Sequence, residues 1–210
     1  MKSKLFIIIV IISIYSHLYS GNDGENIFYS RVIETAKESV GLKSIPASDG
    51  RTFTQDCIGF VRYVYLKAGL DLLKAYGNGR GGVSSLYDGL AKRGLIYTNQ
   101  TPSPGDLIFF DNTYDVNKDG KWDDPLSHIA IVESIGRFNT IYYIDFSNNR
   151  VSEERLNLLY PNTHAFKQKD GELFVINSFL RRDRGEGLNR KDYVASFFFR
   201  SFAHINVRHR

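Results

Sequence analysis

The fold is decided by Ser127-His128-Ile129-Ala130-Ile131-Val132-Glu133, a short apolar run that starts beside a histidine and ends at a glutamate. Its β-branched residues and its length predict a buried strand. Comparable runs, each bounded by Pro, Gly, Asn or Asp, predict further strands at 106–110, 140–146, 172–176 and 194–205. The second half of the chain is therefore predicted to form a sheet.

The first half of the chain has a different apolar pattern, with the spacing of helices. Three stretches show it: 27–40, 57–70 and 83–94. Thr54 or Asp56 can cap the second helix, and Ser84 or Ser85 the third. Helices that precede strands predict an α+β fold in which N-terminal helices pack on an antiparallel β-sheet.

Composition limits the classes of protein that fit. A chain of 210 residues with 42% apolar and 24% charged residues suits one domain, predicted here as 21–210 with a C-terminal extension from about 152. The single cysteine excludes an intramolecular disulfide framework and a Cys-rich zinc site. The formal charge of +4 is spread along the chain, so nucleic acid is not a predicted partner, and we expect a monomer.

The first twenty residues have the pattern of an export signal. Lys2 and Lys4 precede an apolar run from Leu5 to Tyr15, and a polar stretch ending at Ser20 follows. The run is shorter than the ~20 residues that a membrane span needs. We predict a signal peptide at 1–20, no stable membrane span after its removal, and a periplasmic or secreted protein. A retained anchor or a buried N-terminal helix is the alternative.

Cys57 is a candidate nucleophile because it lies in the first turn of a predicted helix. A thiol reacts as its thiolate, and the unpaired N–H groups of a helix N-terminus stabilise that anion. An unpaired thiol in an exported protein also needs a reason, which is either deep burial or use as a nucleophile. The alternative is therefore a small core residue, since free cysteines are often buried.

His128 is the histidine with the best-defined scaffold, because it begins a strand. If the strands at 129–134 and 141–146 form a hairpin around 136–139, Asp145 lies near His128 and can accept an N–H of the ring. A carboxylate within such an aromatic strand needs a partner. The alternative is that Asp145 faces solvent. Asn148 and Asn149 are then the substitutes that orient the His128 ring.

A candidate cation site lies between the predicted strands at 106–110 and 127–133. Positions one, three, five, six and nine of a calcium loop match Asp115, Asn117, Asp119, Gly120 and Asp123. Position twelve is Leu126, where a complete EF-hand has a bidentate glutamate. The segment is either a degenerate structural Ca²⁺ loop leading to His128 or an acidic surface turn.

Three segments follow one another in the chain: Asp56-Cys57-Ile58-Gly59-Phe60-Val61, then Pro104-Gly105-Asp106-Leu107-Ile108-Phe109-Phe110, then Ser127-His128-Ile129-Ala130-Ile131-Val132. In this order, and behind an export signal, they resemble the CHAP and NlpC/P60 superfamily of papain-like cysteine peptidases and amidases. Ile58 stands where the group commonly has a small polar residue, and the upstream aromatic and Gly-Gly signature of NlpC/P60 members is not evident. Both differences favour the CHAP side.

This resemblance implies a papain-like fold, Cys57 as nucleophile, His128 as general base and Asp145 as the polar third residue. It implies a cysteine hydrolase that cleaves amide bonds in the peptide part of peptidoglycan without a required cofactor. Two other functions stay open: a non-catalytic wall-binding or surface-interaction protein, and a papain-like acyl or amide transferase with a non-wall substrate. Whether the enzyme is an amidase or an endopeptidase does not follow from these residues.

Overall fold

The structure is a computed structural model that describes residues 23–180 and 193–207. The predicted signal peptide at 1–20 lies outside the described residues. Within the described ranges, no helix combines the length and apolar character required to cross a membrane.

Among the described residues four helices precede the sheet, one more than the three that the sequence predicts. They are α1 (residues 23–38), α2 (Cys57–Lys67), α3 (Leu72–Tyr76) and α4 (Gly82–Ala91). The prediction of a serine cap on α4 was wrong: the cap residue is Gly81, which has no side chain to donate or accept. The Ser85 hydroxyl instead accepts the Asn78 N–H at 3.0 Å, within the turn that leads into α4.

Eight described strands follow, and every pair is antiparallel. They are β1 (Ile96–Tyr97), β2 (Leu107–Phe110), β3 (His128–Ile135), β4 (Ile141–Ser147), β5 (Arg150–Leu156), β6 (Ala165–Lys167), β7 (Leu173–Val175) and β8 (Phe199–Ala203). Six form one sheet in the order β1-β8-β2-β3-β4-β5, and β6 pairs with β7. The predicted α+β class, with helices packed on an antiparallel sheet, is confirmed.

β8 lies between β1 and β2, although it comes last in the chain. A four-residue helix, α5 (Ala195–Phe198), leads directly into it. Residues beyond 152 therefore supply an interior strand of the main sheet and part of the cover over one of its faces.

Both faces of the sheet are buried, which explains why its central strands are continuous apolar runs instead of alternating ones. On one face, α2 packs against β3 and β4, and Phe60 and Val64 are fully buried there. On the other face, Phe198 of α5 packs in a second core cluster with Phe110 and Tyr143. The helix that carries Cys57 is thus held against the strands that carry His128 and Asp145.

Candidate active site

Cys57 is the first residue of α2, and Asp56 caps this helix. The Asp56 carboxylate accepts the Gly59 N–H at 2.8 Å, while its backbone is extended (φ −149°, ψ 179°). Of the two predicted capping residues, Asp56 takes the role, and the Thr54 hydroxyl donates to its carboxylate at 2.7 Å. The sulfur therefore lies where the N–H groups of the first helical turn point, which favours an anion.

Gly59 allows the preceding segment of the chain, at Thr54, to lie directly against the first turn of α2. A Cβ at this position would lie 1.8 Å from the Thr54 carbonyl oxygen, which is far inside a van der Waals contact. A glycine is therefore required two residues after Cys57 so that the turn from Thr54 to Asp56 can press against the helix. No pattern in the sequence alone indicates this role.

His128 and Asp145 form a buried pair. The Asp145 Oδ2 atom lies 2.6 Å from Nε2 of the His128 ring, and Asp145 has no exposed surface. Its other oxygen accepts the Ser147 hydroxyl at 3.1 Å. The hairpin on which this pairing depended is present, with Ile131 opposite Ile144. Asn148 and Asn149 are exposed in the β4–β5 turn, where both have a left-handed backbone. Neither is therefore placed to orient the His128 ring instead of Asp145.

A β-bulge decides that the two side chains share a face of the sheet. Near the hairpin loop Ile135 pairs with Ile141, but beyond the bulge at Glu133 the register shifts so that Val132 pairs with Tyr143. Continuing the first register would place Asp145 on the opposite face from His128, because a one-residue slip reverses every side chain. The extra residue therefore places the Asp145 carboxylate on the same face of the sheet as the His128 ring.

The Cys57 sulfur is close enough to the His128 ring to affect its pKa. Because Nε2 faces Asp145, Nδ1 is the ring nitrogen that remains for the sulfur. Burial disfavours the imidazolium, but negative charge on Cys57 and Asp145, with hydrogen bonds to both, outweighs it and raises the pKa of His128 to about 10. The site therefore supports an imidazolium ring between a sulfur and a carboxylate.

Two further residues that the sequence analysis missed hold this arrangement. The ring of Phe110, which pairs with His128 across β2 and β3, lies 5.8 Å from the His128 ring between centroids. Ser147 supports Asp145 through its hydroxyl. Ser147 could have been found, since it is two residues after Asp145 on the same strand and therefore on the same face.

In the loop that matches a calcium pattern, polar side chains accept hydrogen bonds from backbone N–H groups of the same loop. Asp115 accepts the N–H groups of Asp119 (3.2 Å) and Gly120 (2.9 Å), and Asn117 accepts the Asp119 N–H at 2.9 Å. In the part of the chain that the structure describes, no three His, Cys, Asp or Glu side chains converge as a metal site would require. Binding of Ca²⁺ by Asp115, Asn117, Asp119 and Asp123 stays a prediction.

A second histidine–carboxylate pair lies at the opposite end of β2 from Phe110. Asp106, from the Pro-Gly-Asp segment, is buried and accepts from the Ser103 N–H, the Tyr97 hydroxyl and Nδ1 of His204 at 2.8 Å. This pair has no thiol, because Cys57 is the only cysteine of the sequence. Its contacts connect β1, β2 and the segment after β8.

Comparisons with known proteins show what this chain is similar to. Residues 47–146, which include Cys57, His128 and Asp145, match the sequence model of the CHAP domain family. No curated protein matches the chain. A solved structure described as similar to a lipoprotein of the NLP/P60 family, from Staphylococcus aureus subsp. aureus Mu50, is 23% identical with a TM-score of 0.36. That alignment covers 60% of this chain, which spans only 40% of the other protein. Residues 47–146, just under half of the chain, therefore match the CHAP domain family.

Proposed function

We propose that this protein is an exported cysteine hydrolase that cleaves amide bonds in the peptide part of peptidoglycan. Cys57 is the nucleophile, His128 the general base and acid, and Asp145 the residue that orients the ring. The observation that carries the proposal is the buried His128–Asp145 pair, together with Cys57 at the start of α2, whose charge helps to raise the pKa of the His128 ring. Buried side chains that are linked in this way are typical of an activated nucleophile.

The first half of the reaction forms an acyl-enzyme. His128 holds the proton of Cys57, and the thiolate attacks the carbonyl carbon of the scissile amide. The described hydrogen bonds engage the Gly59 and Phe60 N–H groups with Asp56, which leaves the N–H groups of Cys57 and Ile58 at the helix start. These two donors are suited to stabilise the oxyanion that develops on the carbonyl oxygen.

The second half regenerates the enzyme. His128 gives its proton to the departing amine, so the C–N bond breaks and a thioester to Cys57 remains. His128 then accepts a proton from water, which attacks the thioester and releases the acid product. Asp145 keeps its charge throughout and stabilises the imidazolium. No step calls for a cofactor.

The proposed location follows from the N-terminal pattern. A basic start, an apolar run and a polar segment ending near Ser20 support export to the periplasm or beyond the cell, where peptidoglycan is found. Fusion of residues 1–25 to a reporter that is active only after export tests this part directly. A reporter that stays inactive contradicts it.

Digestion of purified peptidoglycan tests the hydrolase. Wild-type protein should release soluble muropeptides with new amino groups, and Cys57→Ala should release none, because it lacks the nucleophile. Cys57→Ser is the matched variant, since it keeps the size of the side chain but has a weaker nucleophile. If wild type and Cys57→Ala give equal products on every wall preparation, the hydrolase proposal is wrong and non-catalytic wall binding is favoured.

A thiol-labelling experiment tests the activated sulfur independently of any substrate. Cys57 should react with iodoacetamide at pH 7 faster than a model thiol, and His128→Ala should remove this advantage. His164→Ala is the matched control, because His164 bonds the Asn177 carbonyl on another part of the structure. Equal labelling of wild type and His128→Ala contradicts the proposed role of the ring.

A further inference from the structure

A cavity with a volume of about 800 Å³ lies at the end of α2 that is opposite Cys57. Leu66, in the last turn of α2, lines it, and a helical rise of about 1.5 Å per residue places Leu66 about 14 Å along the helix from Cys57. Residues of α3 and the segment after β8 complete its walls. A volume of this size is typical of small-molecule sites. The cavity, which we call the α2–α3 cavity, is therefore a candidate binding site apart from the catalytic residues.

Positive charge dominates the polar lining of the α2–α3 cavity. Arg51, Lys74 and Arg93 line it, and Asp71 is the one carboxylate of the described lining. The Arg51 guanidinium donates a hydrogen bond to Asp71, so these two charges offset each other. The Lys74 side chain is exposed, and its ammonium has no hydrogen bond or ion pair with any residue that the structure describes. Lys74 and Arg93 therefore leave about two positive charges uncompensated.

Arg93 is held in one orientation by the protein itself. Its Nη1 donates to the Gly89 carbonyl at 2.8 Å, and its Nη2 donates to the Ala75 carbonyl at 3.1 Å. The guanidinium also lies over the Tyr76 ring, 5.2 Å from the ring centroid. A guanidinium has five N–H donors, so about three remain after these two hydrogen bonds. A cation that is already fixed loses little conformational entropy when it binds an anion.

Apolar side chains form much of the remaining lining. Leu66 and Leu95 are partly buried and pack against the core, and Tyr76 is buried. The Tyr76 hydroxyl donates to the Asn206 carbonyl at 2.6 Å, so the ring contributes an apolar surface. A ligand that fills this cavity therefore needs an anionic group for the cations and an apolar part for the rest of the lining.

We propose that the α2–α3 cavity binds an organic phosphate, with the phosphate group at Lys74 and Arg93 and the carbon skeleton against the apolar lining. A phosphate monoester carries about −1.5 to −2 charges at pH 7, which matches the uncompensated positive charge, whereas a carboxylate carries only a single charge. Arginine binds phosphate through parallel N–H donors, and lysine through a compact charge. The proposal does not rest on peptidoglycan hydrolysis, because the residues assigned to that reaction do not line this cavity.

Titration calorimetry with four small probes tests the class of ligand. Phenyl phosphate should bind with a Kd below about 1 mM, because it combines two charges with an apolar ring. Inorganic phosphate lacks the ring, phenol lacks the charge, and benzoate has the ring with one charge, so each should bind at least about tenfold more weakly. Equal binding of benzoate overturns the assignment of phosphate, and equal binding of inorganic phosphate or phenol overturns the combined site. No binding of phenyl phosphate at about 10 mM overturns the whole proposal.

Variants of the two cations locate the site. Lys74→Gln and Arg93→Gln should each weaken the binding of phenyl phosphate about 5–50-fold, the range of one charge-assisted hydrogen bond. Lys92→Gln is the matched control, because it removes the same charge from an exposed residue next to Arg93 that does not line the cavity. An unchanged Kd in Lys74→Gln overturns the site. Equal weakening in Lys74→Gln and Lys92→Gln shows a general effect of surface charge and also overturns it.

Two further measurements separate the result from folding and from the catalytic residues. Arg93→Gln also loses its hydrogen bonds to two carbonyl groups, so its Tm is measured, whereas Lys74→Gln loses no described side-chain bond and should keep the wild-type Tm. Cys57→Ala should bind phenyl phosphate as wild type does, because the sulfur lies at the other end of α2. Loss of binding in Cys57→Ala places the phosphate at the catalytic residues and overturns the proposal. Intact binding in a protein that does not digest peptidoglycan refutes only the proposed function.

Discussion

Asp145 is fully buried and its carboxylate contacts the His128 ring. We therefore expect the charge of Asp145, more than its shape, to stabilise the imidazolium. Asp145→Asn keeps the size of the side chain and removes the negative charge that stabilises the imidazolium. We expect kcat/KM for peptidoglycan to fall by about 10²–10⁴, the range of a lost general acid–base contribution. Ser147→Ala is the control, since it removes only the hydroxyl that supports Asp145 and should cost much less. Equal activities of Asp145→Asn and wild type would contradict the orienting role.

The titration of His128 gives another prediction about a single residue. In the wild type, negative charge on Cys57 helps to raise the pKa of His128 to about 10 against the effect of burial. Cys57→Ala removes that charge and its hydrogen bond, so the pKa of the ring should fall. The ring-proton chemical shifts of His128, followed by NMR against pH and assigned with His128→Gln, measure the change. An unchanged titration would show that the sulfur and the ring do not interact.

How far the sequence predicts the site differs between these residues. Asp56 as cap and Cys57 as the first helical residue follow from local rules about helix starts. The approach of Asp145 to His128 follows from the length of the hairpin, but the shared face depends on the bulge at Glu133. No local pattern indicates that bulge, because the extra residue is required by the way in which both strands align with the core.

At the scale of elements, the start of α2 depends on Gly59. Gly59→Ala places a methyl group against the Thr54 carbonyl, and the turn that presents Cys57 has to move. We expect a loss of about 1–3 kcal/mol in the free energy of unfolding and a large loss of activity. Urea unfolding and peptidoglycan digestion measure the two effects.

Gly24→Ala is the matched control for this prediction. Gly24 also lies in a helix, but nothing is within 4 Å of a Cβ built there. Alanine should therefore leave stability unchanged or raise it by up to about 1 kcal/mol through its helix propensity. If Gly59→Ala and Gly24→Ala behave alike, the close approach of Thr54 to the helix does not constrain the site.

Two elements show where pattern analysis stops. β5 was not predicted, because Glu153, Glu154 and Arg155 interrupt the apolar pattern of a strand whose only described strand partner is β4. The turn before β5 does have a sequence signal, because asparagine tolerates a left-handed backbone. Asn148 and Asn149 both adopt that backbone, as a two-residue hairpin turn of this kind requires. The strand predicted at 194–205 is present only at 199–203, because residues 195–198 form α5. The place of β8 between β1 and β2 is a long-range property that no local pattern contains.

At the scale of the whole molecule, His204 connects distant parts of the chain. Its ring contacts Asp106 at the start of β2 and lies 3.3 Å from the Tyr29 hydroxyl and 3.8 Å from Glu25, both on α1. The hydrogen bond with Asp106 is the largest effect on its pKa; this bond and the charges of Asp106 and Glu25 raise the pKa, while partial burial opposes the shift.

The direction of this shift predicts a dependence of stability on pH. A raised pKa in the folded state means that the stabilising effect of His204 is complete below its unfolded pKa of about 6.5 and is lost as pH rises through the folded value. His204→Gln should therefore lower Tm more at pH 6 than at pH 9. His128 titrates in both proteins, so the difference between them isolates His204. A constant difference in Tm across this range would contradict the assignment.

The position of β8 also bears on the order in which the protein matures. Cys57, His128 and Asp145 have all been synthesised well before residues 199–203, yet those residues close the gap between β1 and β2 and hold Asp111 in the connection that leads to His128. A nascent chain that still lacks them carries every reactive group without the scaffold that aligns these groups. Alignment of the three side chains therefore requires the last strand that the structure describes.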